Sequence, residues 1–251
     1  NLDPSPNSIT FNITAVNDEQ HLAVNTGLTA IEGATGNTIT AAMLSTTDVD
    51  NSQQQLVYTV TGMVSHGTLK LAGAALGLGS TFTQADIAAG LLGYDHDDSE
   101  NFNDGFAFSV DDGSGAATTG VFAITITPDN DNAPVVTSHG GAETAALSVA
   151  ENASLLTTIT AIDADLPQPT LNYGLEGPDH HLFSITPAGE LGFIMAPDFE
   201  NPLDEGQDNI YNLTVTVSDG LFTTSQKLVI TVTDLNEFAV SVPLDADAAD
   251  N

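Results

Sequence analysis

The chain has 251 residues and is strongly acidic, with 34 Asp and Glu against 2 Lys and Arg and a formal net charge of −32. Nucleic acids and anionic membranes are excluded as partners, because both require clustered basic side chains. The absence of cysteine excludes disulfides, thiol nucleophiles and zinc sites with cysteine ligands, and such a composition is typical of an exported protein.

The apolar content is sufficient for folded domains, and the length suits two of them. Hydrophobic residues make up 41% of the chain. The most apolar stretch, residues 69–94, is interrupted by Lys70, Ser80, Gln84 and Asp86. It is not a membrane span, and we expect no direct membrane contact.

Three segments repeat along the chain: ITFNITAVNDE (9–19), FAITITPDNDN (122–132) and LVITVTDLNEF (228–238). Apolar residues alternate with Thr or other small residues, which predicts half-buried strands. Each segment ends in Asn followed by an acid, and these Asn residues are 113 and 106 residues apart. That spacing is the size of a β-sandwich domain, so each segment is predicted to be the last strand of one domain leading into the next.

The predicted elements therefore fall into four parts. Residues 1–17 end a preceding repeat, 18–131 and 132–237 form two domains, and 238–251 begin a following, truncated repeat. In the first domain, Thr83 before QADIAAG, with Asp86 at the third helical position, predicts one short helix.

The second domain shows six strand patterns, a short strand near Leu147 and a hairpin turn at 187–189. The strand patterns are LLTTITA, LNYGL, LFSI, ELGFI, YNLTVTVS and LFTTSQKLVITVT. We predict an all-β fold of two tandem Greek-key β-sandwiches joined end to end, with one short helix in the first.

Acidic residues recur in the same order in both domains. The first carries Glu32, the D-x-D pair Asp48 and Asp50, and Asp112; the second carries Glu151, the pair Asp163 and Asp165, and Asp219. The two acids of a D-x-D pair share one face of an extended chain. With Asn130 from the linker they predict an all-oxygen Ca²⁺ site, since zinc prefers His or Cys.

Electrostatic repulsion supports this interpretation. Two carboxylates about 4 Å apart repel by roughly 4 kcal/mol at an effective dielectric constant of about 20, unless a cation lies between them. A second acidic set is predicted at the opposite pole of the second domain, formed by Glu151, Asp198, Glu200, Asp234, Asn236 and Glu237. For a single D-x-D pair, a solvated acidic loop remains an equal alternative, whereas the repeated set favours a metal.

The motifs AEN, DAD, PDFEN, VTVSDG and DLNE in residues 132–237 resemble, in order, the calcium-binding motifs of cadherin repeats. PDFENP…DNIYNLTVTVSDG is especially similar to the repeats of large bacterial surface adhesins of the RTX type. The resemblance implies one ligand set of Asn130, Asp131, Asn132, Asp163, Asp165 and Asp219, and a distal set of Glu151, Asp198, Glu200, Asp234, Asn236 and Glu237.

One departure from the family limits the expected number of ions. The acid two residues before the Asn is present as Asp234 but is replaced by Pro128 and Ala15 at the earlier boundaries. We therefore expect one or two calcium ions at residues 128–134 and not three.

Residues 18–131 resemble the cadherin-related repeat of chondroitin-sulphate proteoglycans. The similar motifs are IEG (31–33), TDVD (47–50), FTQADIAAGLLGYDHDDSE (82–100) and FSVDDG (108–113). The resemblance implies Asn17, Asp48, Asp50 and Asp112 as ligands at one end, and Glu32, Asp97 and Glu100 at the other.

We predict that the chain is not an enzyme. The acids lie at strand ends and not around an apolar pocket, and no nucleophile elbow or phosphate-binding loop is present. His180 and His181 follow Pro178-Asp179 and predict a surface turn, and His96 in YDHDDSE predicts a loop histidine.

The predicted function is a calcium-rigidified spacer of a secreted bacterial adhesin, involved in cell-surface adhesion or biofilm formation. We expect an extracellular monomer whose partners are neighbouring repeats of the same long chain, with polysaccharide or another cell surface contacted through other domains. The alternative is a module of the same adhesin that itself binds polysaccharide or peptide. The low aromatic content of 6%, without Trp, favours the spacer.

Overall fold

The computed structural model describes residues 9–236, which fall into two compact units, 9–129 (unit 1) and 130–236 (unit 2). Glu237 and the predicted partial repeat at 238–251 lie outside the described residues.

Unit 1 contains eleven described strands and one helix. They are β1 (His21–Asn25), β2 (Leu28–Ile31), β3 (Asn37–Thr38), β4 (Leu44–Thr47), β5 (Val57–Gly62), β6 (Gly67–Leu71), β7 (Ala74–Ala75), β8 (Thr81–Thr83), α1 (Gln84–Ala88), β9 (Leu92–His96), β10 (Asn103–Asp111) and β11 (Thr118–Thr127).

Unit 2 contains nine described strands and two 3-10 turns, Ser138–Gly141 and His180–Leu182. The strands are β12 (Val135–Val136), β13 (Thr144–Ala150), β14 (Leu155–Thr158), β15 (Ala161–Ile162), β16 (Asn172–Glu176), β17 (Phe183–Ile185), β18 (Glu190–Phe193), β19 (Ile210–Ser218) and β20 (Thr223–Thr233).

In unit 1, a five-stranded sheet (order β2-β11-β10-β5-β8), a four-stranded sheet (β3-β9-β6-β7) and the pair β1-β4 surround one aromatic core. Tyr58 and Phe82 stack with ring centroids 4.9 Å apart, and Phe106 and Phe108 pack beside them. Burial of such large rings is the main favourable contribution to folding of a sheet-on-sheet structure.

In unit 2, the sheet β13-β20-β19-β16 lies with the smaller sheets β14-β18-β17 and β12-β15. Phe183, Phe193 and Tyr211 form the aromatic centre of this second core. The predicted strands are all present, although LLTTITA divides into β14 and β15 around buried Ile159. The all-β sandwich prediction is therefore confirmed.

The last strand of each unit lies between one parallel and one antiparallel neighbour. β11 pairs in parallel with β2 and antiparallel with β10, and β20 pairs in parallel with β13 and antiparallel with β19. The apolar residues of 122–126 and 228–232 alternate inward, as the half-buried pattern predicted. The third predicted strand, 9–19, was wrong for the described structure, in which these residues are exposed and form no strand, because no neighbouring strand pairs with them.

The predicted helix is confirmed as α1. The Thr83 hydroxyl accepts from the Asp86 backbone N–H, and the Asp86 side chain accepts from the Thr83 N–H, which completes a capping box. In the described residues no helix has the length and apolarity needed to cross a bilayer.

The predicted hairpin turn at 187–189 also has a structural requirement. Gly189 has φ +80°, and a Cβ atom there would lie 2.1 Å from the Ile159 carbonyl oxygen. A side chain is therefore disfavoured by conformation and by space.

Candidate metal centres

The first acidic centre, the Asp163 cluster, lies in unit 2 and consists of Asn130, Asn132, Asp163, Asp165 and Asp219. Asp163 and Asp165 follow β15 directly, and Asp219 follows the last residue of β19. Carboxylate oxygens of the three acids all lie within 4.8 Å of one another. The sequence-predicted carboxylates of this pole are thus brought together by the ends of two strands.

Asp163 is the chemically distinctive member of the cluster. It is 6% exposed, and its Oδ1 accepts a 3.0 Å hydrogen bond from the Asp165 backbone N–H. Its Oδ2 is buried without a hydrogen-bond partner among the described residues. Burial, together with the charges of Asp165 and Asp219, raises the pKa of Asp163, because each disfavours the charged form.

The two linker amides contact the same carboxylates. The Asn132 backbone N–H and side-chain Nδ2 donate to Asp165 Oδ1 at 3.2 and 2.8 Å. The end of the Asn130 amide that faces the cluster lies 2.9 Å from Asp165 Oδ2 and 3.2 Å from Asp219 Oδ2. With its nitrogen at this end the amide donates to both carboxylates, and turned over it would present its oxygen as a ligand. Exposed Asp131 accepts from Asn132 Nδ2 at 2.8 Å.

The second centre, the Glu151 cluster, consists of Glu151, Glu200 and Asp234, whose carboxylate oxygens lie within 4.8 Å of one another. Glu151 is 2% exposed, and its two oxygens accept from the backbone N–H groups of Leu235 and Phe199, each at 2.8 Å. Both hydrogen bonds hold the pKa of Glu151 below its usual range, and the one from Leu235 has the larger effect.

The pKa of Glu200 in the same cluster is raised and not lowered. Its own backbone N–H lowers the pKa, but burial and the charges of Glu151, Asp234 and Asp198 outweigh this effect and raise it. Asp198 is exposed, and its Oδ1 accepts from the Glu200 N–H at 3.1 Å, so it shapes the turn that carries Glu200. Asn236 is exposed.

The third group, the Asp48 cluster of unit 1, contains Asn17, Asp48, Asp50 and Asp112. Asn17 Nδ2 donates to Asp112 Oδ2 at 2.9 Å, which contributes most to a lowered pKa of Asp112. Asp50 donates its N–H to Asp48 Oδ1 at 2.7 Å and accepts the Asp18 N–H at 2.8 Å. Asp48 Oδ2 is buried without a partner among the described residues.

The remaining predicted ligands of unit 1 are Glu32, Asp97 and Glu100. Glu32 is 5% exposed; its Oε2 accepts from the Asp129 N–H at 3.2 Å, while its Oε1 is buried without a partner among the described residues. Asp97 is exposed, and hydrogen bonds from Ser99 lower its pKa. Glu100 lies half-buried in the loop after β9.

Glu32 and Glu151 are structurally equivalent. The N–H of each donates to the last residue of its unit's final strand, Thr127 at 2.9 Å and Thr233 at 3.1 Å. One carboxylate oxygen of Glu32 accepts from the N–H of Asp129, two residues after Thr127. One carboxylate oxygen of Glu151 likewise accepts from the N–H of Leu235, two residues after Thr233. The repeat inferred from the order of acids is therefore also a repeat of hydrogen bonds.

Sequence reasoning missed several polar residues near these groups. Asn51 Nδ2 donates to the Asp112 carbonyl at 3.0 Å, and Asn101 Oδ1 is buried without a partner among the described residues. Asn51 and Asn101 directly follow the predicted ligands Asp50 and Glu100. An amide next to a predicted acidic ligand, as in Asn130-Asp131, was therefore the sequence signal that could have identified them.

Two buried acids of unit 2 were also missed, but their environment differs. Asp179 is 1% exposed and accepts from the Glu205 and Asn212 N–H groups at 2.8 and 2.6 Å. Asp204 is 3% exposed and accepts from the Asp208 and Asn209 N–H groups, both at 3.1 Å. All four oxygens are satisfied by backbone donors, so these acids organise a loop.

Of the two predictions about histidines, one is confirmed and the other is wrong. His180 and His181 lie in an exposed 3-10 turn, as predicted. The expectation of a loop histidine at His96 was wrong: it is the last residue of β9 and is 4% exposed. Its Nδ1 accepts from the Gly33 and Asp98 N–H groups at 3.0 and 3.2 Å. Long-range pairing of β9 buries it, which the acidic local sequence did not indicate.

Comparison with known proteins supports this architecture. Residues 20–126 match the profile of the family described as cadherin-like. Human extracellular matrix organizing protein FRAS1 is 30% identical over 213 residues, 79% of this chain and 5% of the relative. Human chondroitin sulfate proteoglycan 4 is 36% identical over 121 residues, 48% of this chain and 5% of the relative. The chain thus spans about one twentieth of these relatives.

Solved structures agree on the fold. A mouse cadherin-23 EC22-24 crystal structure has a TM-score of 0.60 and 20% identity, over 88% of this chain and 68% of that one. Human protocadherin-24 EC1-2 has a TM-score of 0.56 and 17% identity, over 88% of this chain and 100% of that one.

By name these relatives are extracellular matrix, proteoglycan and cadherin proteins and not enzymes, which agrees with the predicted extracellular location and lack of catalysis. They come from animals, so the resemblance to bacterial adhesins stays a prediction. Residues 20–126 therefore match the cadherin-like family, the chain is similar in sequence to FRAS1 and chondroitin sulfate proteoglycan 4, and its fold is that of the cadherin structures.

Proposed function

We propose that the chain consists of calcium-braced spacer repeats of a large secreted adhesive protein. The observation that carries this proposal is the buried, unpartnered Asp163 Oδ2 inside a group of three carboxylates. A buried polar atom without a partner is costly, and a buried charge more so, unless a counterion satisfies it.

The protein itself supplies few counterions. With 2 Lys and Arg in the whole chain, almost every carboxylate lacks a basic side chain. Asp163, Asp165 and Asp219 provide carboxylate oxygens within 4.8 Å, and Asn130 provides an amide that can present its oxygen. An all-oxygen donor set of this kind fits Ca²⁺. When bound, the ion would neutralise the mutual repulsion of the three acids.

Asn130 and Asn132 link the Asp163 cluster to the proposed stiffening of the chain by calcium. Both lie in the segment between β11 and β12, and both contact Asp165. Cation binding at the Asp163 cluster would therefore order the segment that joins the two proposed repeats, 18–131 and 132–237. A protein built from many such joints would resist bending in calcium and become flexible without it.

The other predicted ligands extend the proposal to three further places. The Glu151 cluster offers three carboxylates, and the Asp48 cluster and Glu32 each offer one buried unpartnered oxygen. We include Asp97, Glu100, Asp131, Asp198 and Asn236 as supporting residues, and Glu237 lies outside the described residues.

The biological setting is also part of the proposal. The matrix relatives and the acidic, cysteine-free composition support a secreted, cell-surface protein that acts as a monomer beside neighbouring repeats of one long chain. The similarity of PDFENP…DNIYNLTVTVSDG to bacterial repeats supports an RTX-type adhesin involved in biofilm formation. In that setting other domains would contact polysaccharide or a second cell surface.

Calcium titration of the whole chain tests this function. We expect calorimetric calcium binding and a higher Tm in millimolar calcium than in EGTA, because the ion binds the folded state only. Hydrogen exchange of residues 128–134 should slow in calcium and not in magnesium. Glu143→Gln, on an exposed acid outside these groups, is the control for Asp163→Asn. Equal Tm and exchange in calcium and EGTA would refute the proposal.

Direct ligand binding is the second candidate function. A pocket of about 160 Å³ in unit 2 is lined mainly by apolar residues, among them Leu182, Phe193, Met195 and Tyr211. It suits an apolar peptide side chain better than a sugar, which usually needs exposed aromatic rings. Peptide binding that Met195→Glu abolishes without a change in Tm would favour this candidate.

A further inference from the structure

The apolar pocket of unit 2 has a strongly exposed wall. Its volume is about 160 Å³, and Met195 and Leu203, which line it, are 72% and 56% exposed. Ile194, which also lines it, is 63% exposed, whereas Phe193 and Tyr211 line the pocket from the core. Large apolar side chains grouped on an exposed surface mark an interaction site, and methionine adapts to ligands of different shapes.

The loop that carries part of this wall is acidic. The wall loop, residues 197–209, contributes Pro197 and Leu203 to the pocket and contains no Lys or Arg. Its exposed acids are Asp198, Glu200, Glu205 and Asp208. An acidic loop beside an apolar pocket complements an apolar side chain that is flanked by Lys or Arg.

The charge of this loop also acts at the pocket itself. Burial has the largest effect in raising the pKa of Tyr211, which lines the pocket, and the charges of Asp204, Asp179 and Asp198 raise it further. A Lys or Arg of a bound peptide would therefore meet a negative potential at this place.

The same loop is attached to the Glu151 cluster at three points. Glu200 is itself a member of the cluster. The Phe199 N–H donates to Glu151 Oε2 at 2.8 Å, and the Pro197 carbonyl accepts from the Asn152 N–H at 2.9 Å. Because Pro197 also lines the pocket, the exposed wall begins directly beside the contacts that the cluster makes.

The other end of the wall is fixed without the cluster. The Leu203 N–H donates to the Tyr211 hydroxyl at 3.4 Å. Asp204, the next residue, accepts two backbone N–H groups of the same loop, both at 3.1 Å. Residues 197–203 are therefore held by the Glu151 cluster at one end and by Tyr211 and the Asp204 turn at the other.

Repulsion weakens the cluster end as long as no cation is bound there. The carboxylate oxygens of Glu151, Glu200 and Asp234 lie within 4.8 Å of one another, and like charges at such distances repel. Glu151 is buried with both oxygens hydrogen-bonded, whereas Glu200 is exposed, so Glu200 is the member that can move away. A cation shared by these carboxylates would keep Glu200, and with it residues 197–203, in place.

We propose that the apolar pocket binds a peptide segment whose apolar side chain is flanked by Lys or Arg, and that a cation in the Glu151 cluster strengthens this binding by ordering residues 197–203. The coupling rests on the proposed calcium-binding function, because the cluster must hold an ion. Linkage requires that the peptide strengthens cation binding by the same factor as the cation strengthens peptide binding. We expect a factor of about 10, which is usual for two coupled sites.

Calorimetric titration of the full chain with a defined peptide tests the coupling. The probe is a blocked pentapeptide with leucine at its centre and two lysines on each side, titrated in millimolar calcium and in EGTA at equal ionic strength. We expect binding about 10-fold tighter in calcium. Charge screening by calcium would instead weaken the binding of a cationic peptide, so the sign of the change separates the two mechanisms.

Matched peptides and variants assign the effect to the pocket and to this cluster. Serine in place of the central leucine, or glutamates in place of the lysines, should abolish binding. Glu200→Gln should remove the calcium dependence without a change of Tm in EGTA, because its side chain is exposed. Glu143→Gln makes the same change at an exposed acid outside the wall loop and the cluster, and should keep the dependence.

The outcomes distinguish failure of the coupling from failure of the calcium function. Calcium binding is first measured without peptide, and its absence would refute both. Calcium binding with equal peptide affinity in calcium and EGTA would overturn the coupling alone, as would a calcium dependence that Glu200→Gln retains. Peptide binding in neither condition, or equal binding of the leucine and serine peptides, would overturn the proposed partner and leave the calcium function standing.

Discussion

Asp48 and Asp163 hold the same position and the same hydrogen bond in the two units. In each, Oδ1 accepts from the backbone N–H two residues later, at 2.7 Å in unit 1 and 3.0 Å in unit 2. In each, Oδ2 is buried without a partner among the described residues. One oxygen thus shapes the turn, and the other is the oxygen that the proposed calcium ion would contact.

Asp163→Asn should change stability in opposite directions with and without calcium. In EGTA the variant should be at least as stable as the parent, because it removes a buried charge repelled by Asp165 and Asp219. In calcium at about 100 times Kd, it should lose most of a stabilisation of about 2.7 kcal/mol. Urea unfolding in both conditions measures this, and a variant equally destabilised in both would contradict the metal role.

Asp179→Asn should destabilise unit 2 by the same amount in calcium and in EGTA. Both oxygens of Asp179 accept backbone N–H groups, and an amide replaces one acceptor by a donor. We expect a loss of about 1–3 kcal/mol. The same urea experiment provides the comparison with Asp163→Asn, and a calcium-dependent loss would place Asp179 in a metal site after all.

The raised pKa of Tyr58 predicts that unit 1 loses stability at alkaline pH. Burial raises the pKa of Tyr58 from 10.0 to about 12, against the opposing effect of hydrogen bonds with Thr46. Because the folded state keeps the proton that the unfolded state loses, this contribution is complete below pH 10 and is lost as pH rises towards 12. Two pKa units correspond to about 2–3 kcal/mol.

Ultraviolet titration of tyrosinate with parallel urea unfolding checks that prediction. Tyr58→Phe should remove one titrating group and flatten the decline in unfolding free energy between pH 10 and 12. An unchanged decline would assign the effect to other tyrosines.

Thr83→Ala should weaken α1 and the adjoining edge of unit 1. The substitution removes the hydroxyl that accepts from the Asp86 N–H at 3.2 Å. Loss of a side-chain cap of this kind costs about 1 kcal/mol. Thr83→Ser keeps the hydroxyl and should retain most of the stability, so equal losses in the two variants would show that the methyl group matters and the cap does not.

The strand and helix patterns were local, and therefore the sequence could reveal them. Alternation of Phe122, Ile124 and Ile126 identified β11 before any partner strand was known, because one buried face imposes a period of two. Thr83 with Asp86 identified α1 for a similar reason, since a capping box is completed within four residues. The recurring order of acids indicated which residues could meet at each pole.

The tertiary structure decided what each acid does. Asp163 and Asp179 are both almost fully buried, yet one keeps an unpartnered oxygen and the other has every oxygen satisfied. His96 likewise looked like a loop residue and is buried by the pairing of β9. The sequence by itself determined where carboxylates and strands occur. Only the tertiary structure decided which backbone N–H groups reach acids such as Asp179 and Glu151, because those donors come from residues 26 to 84 positions away in the chain.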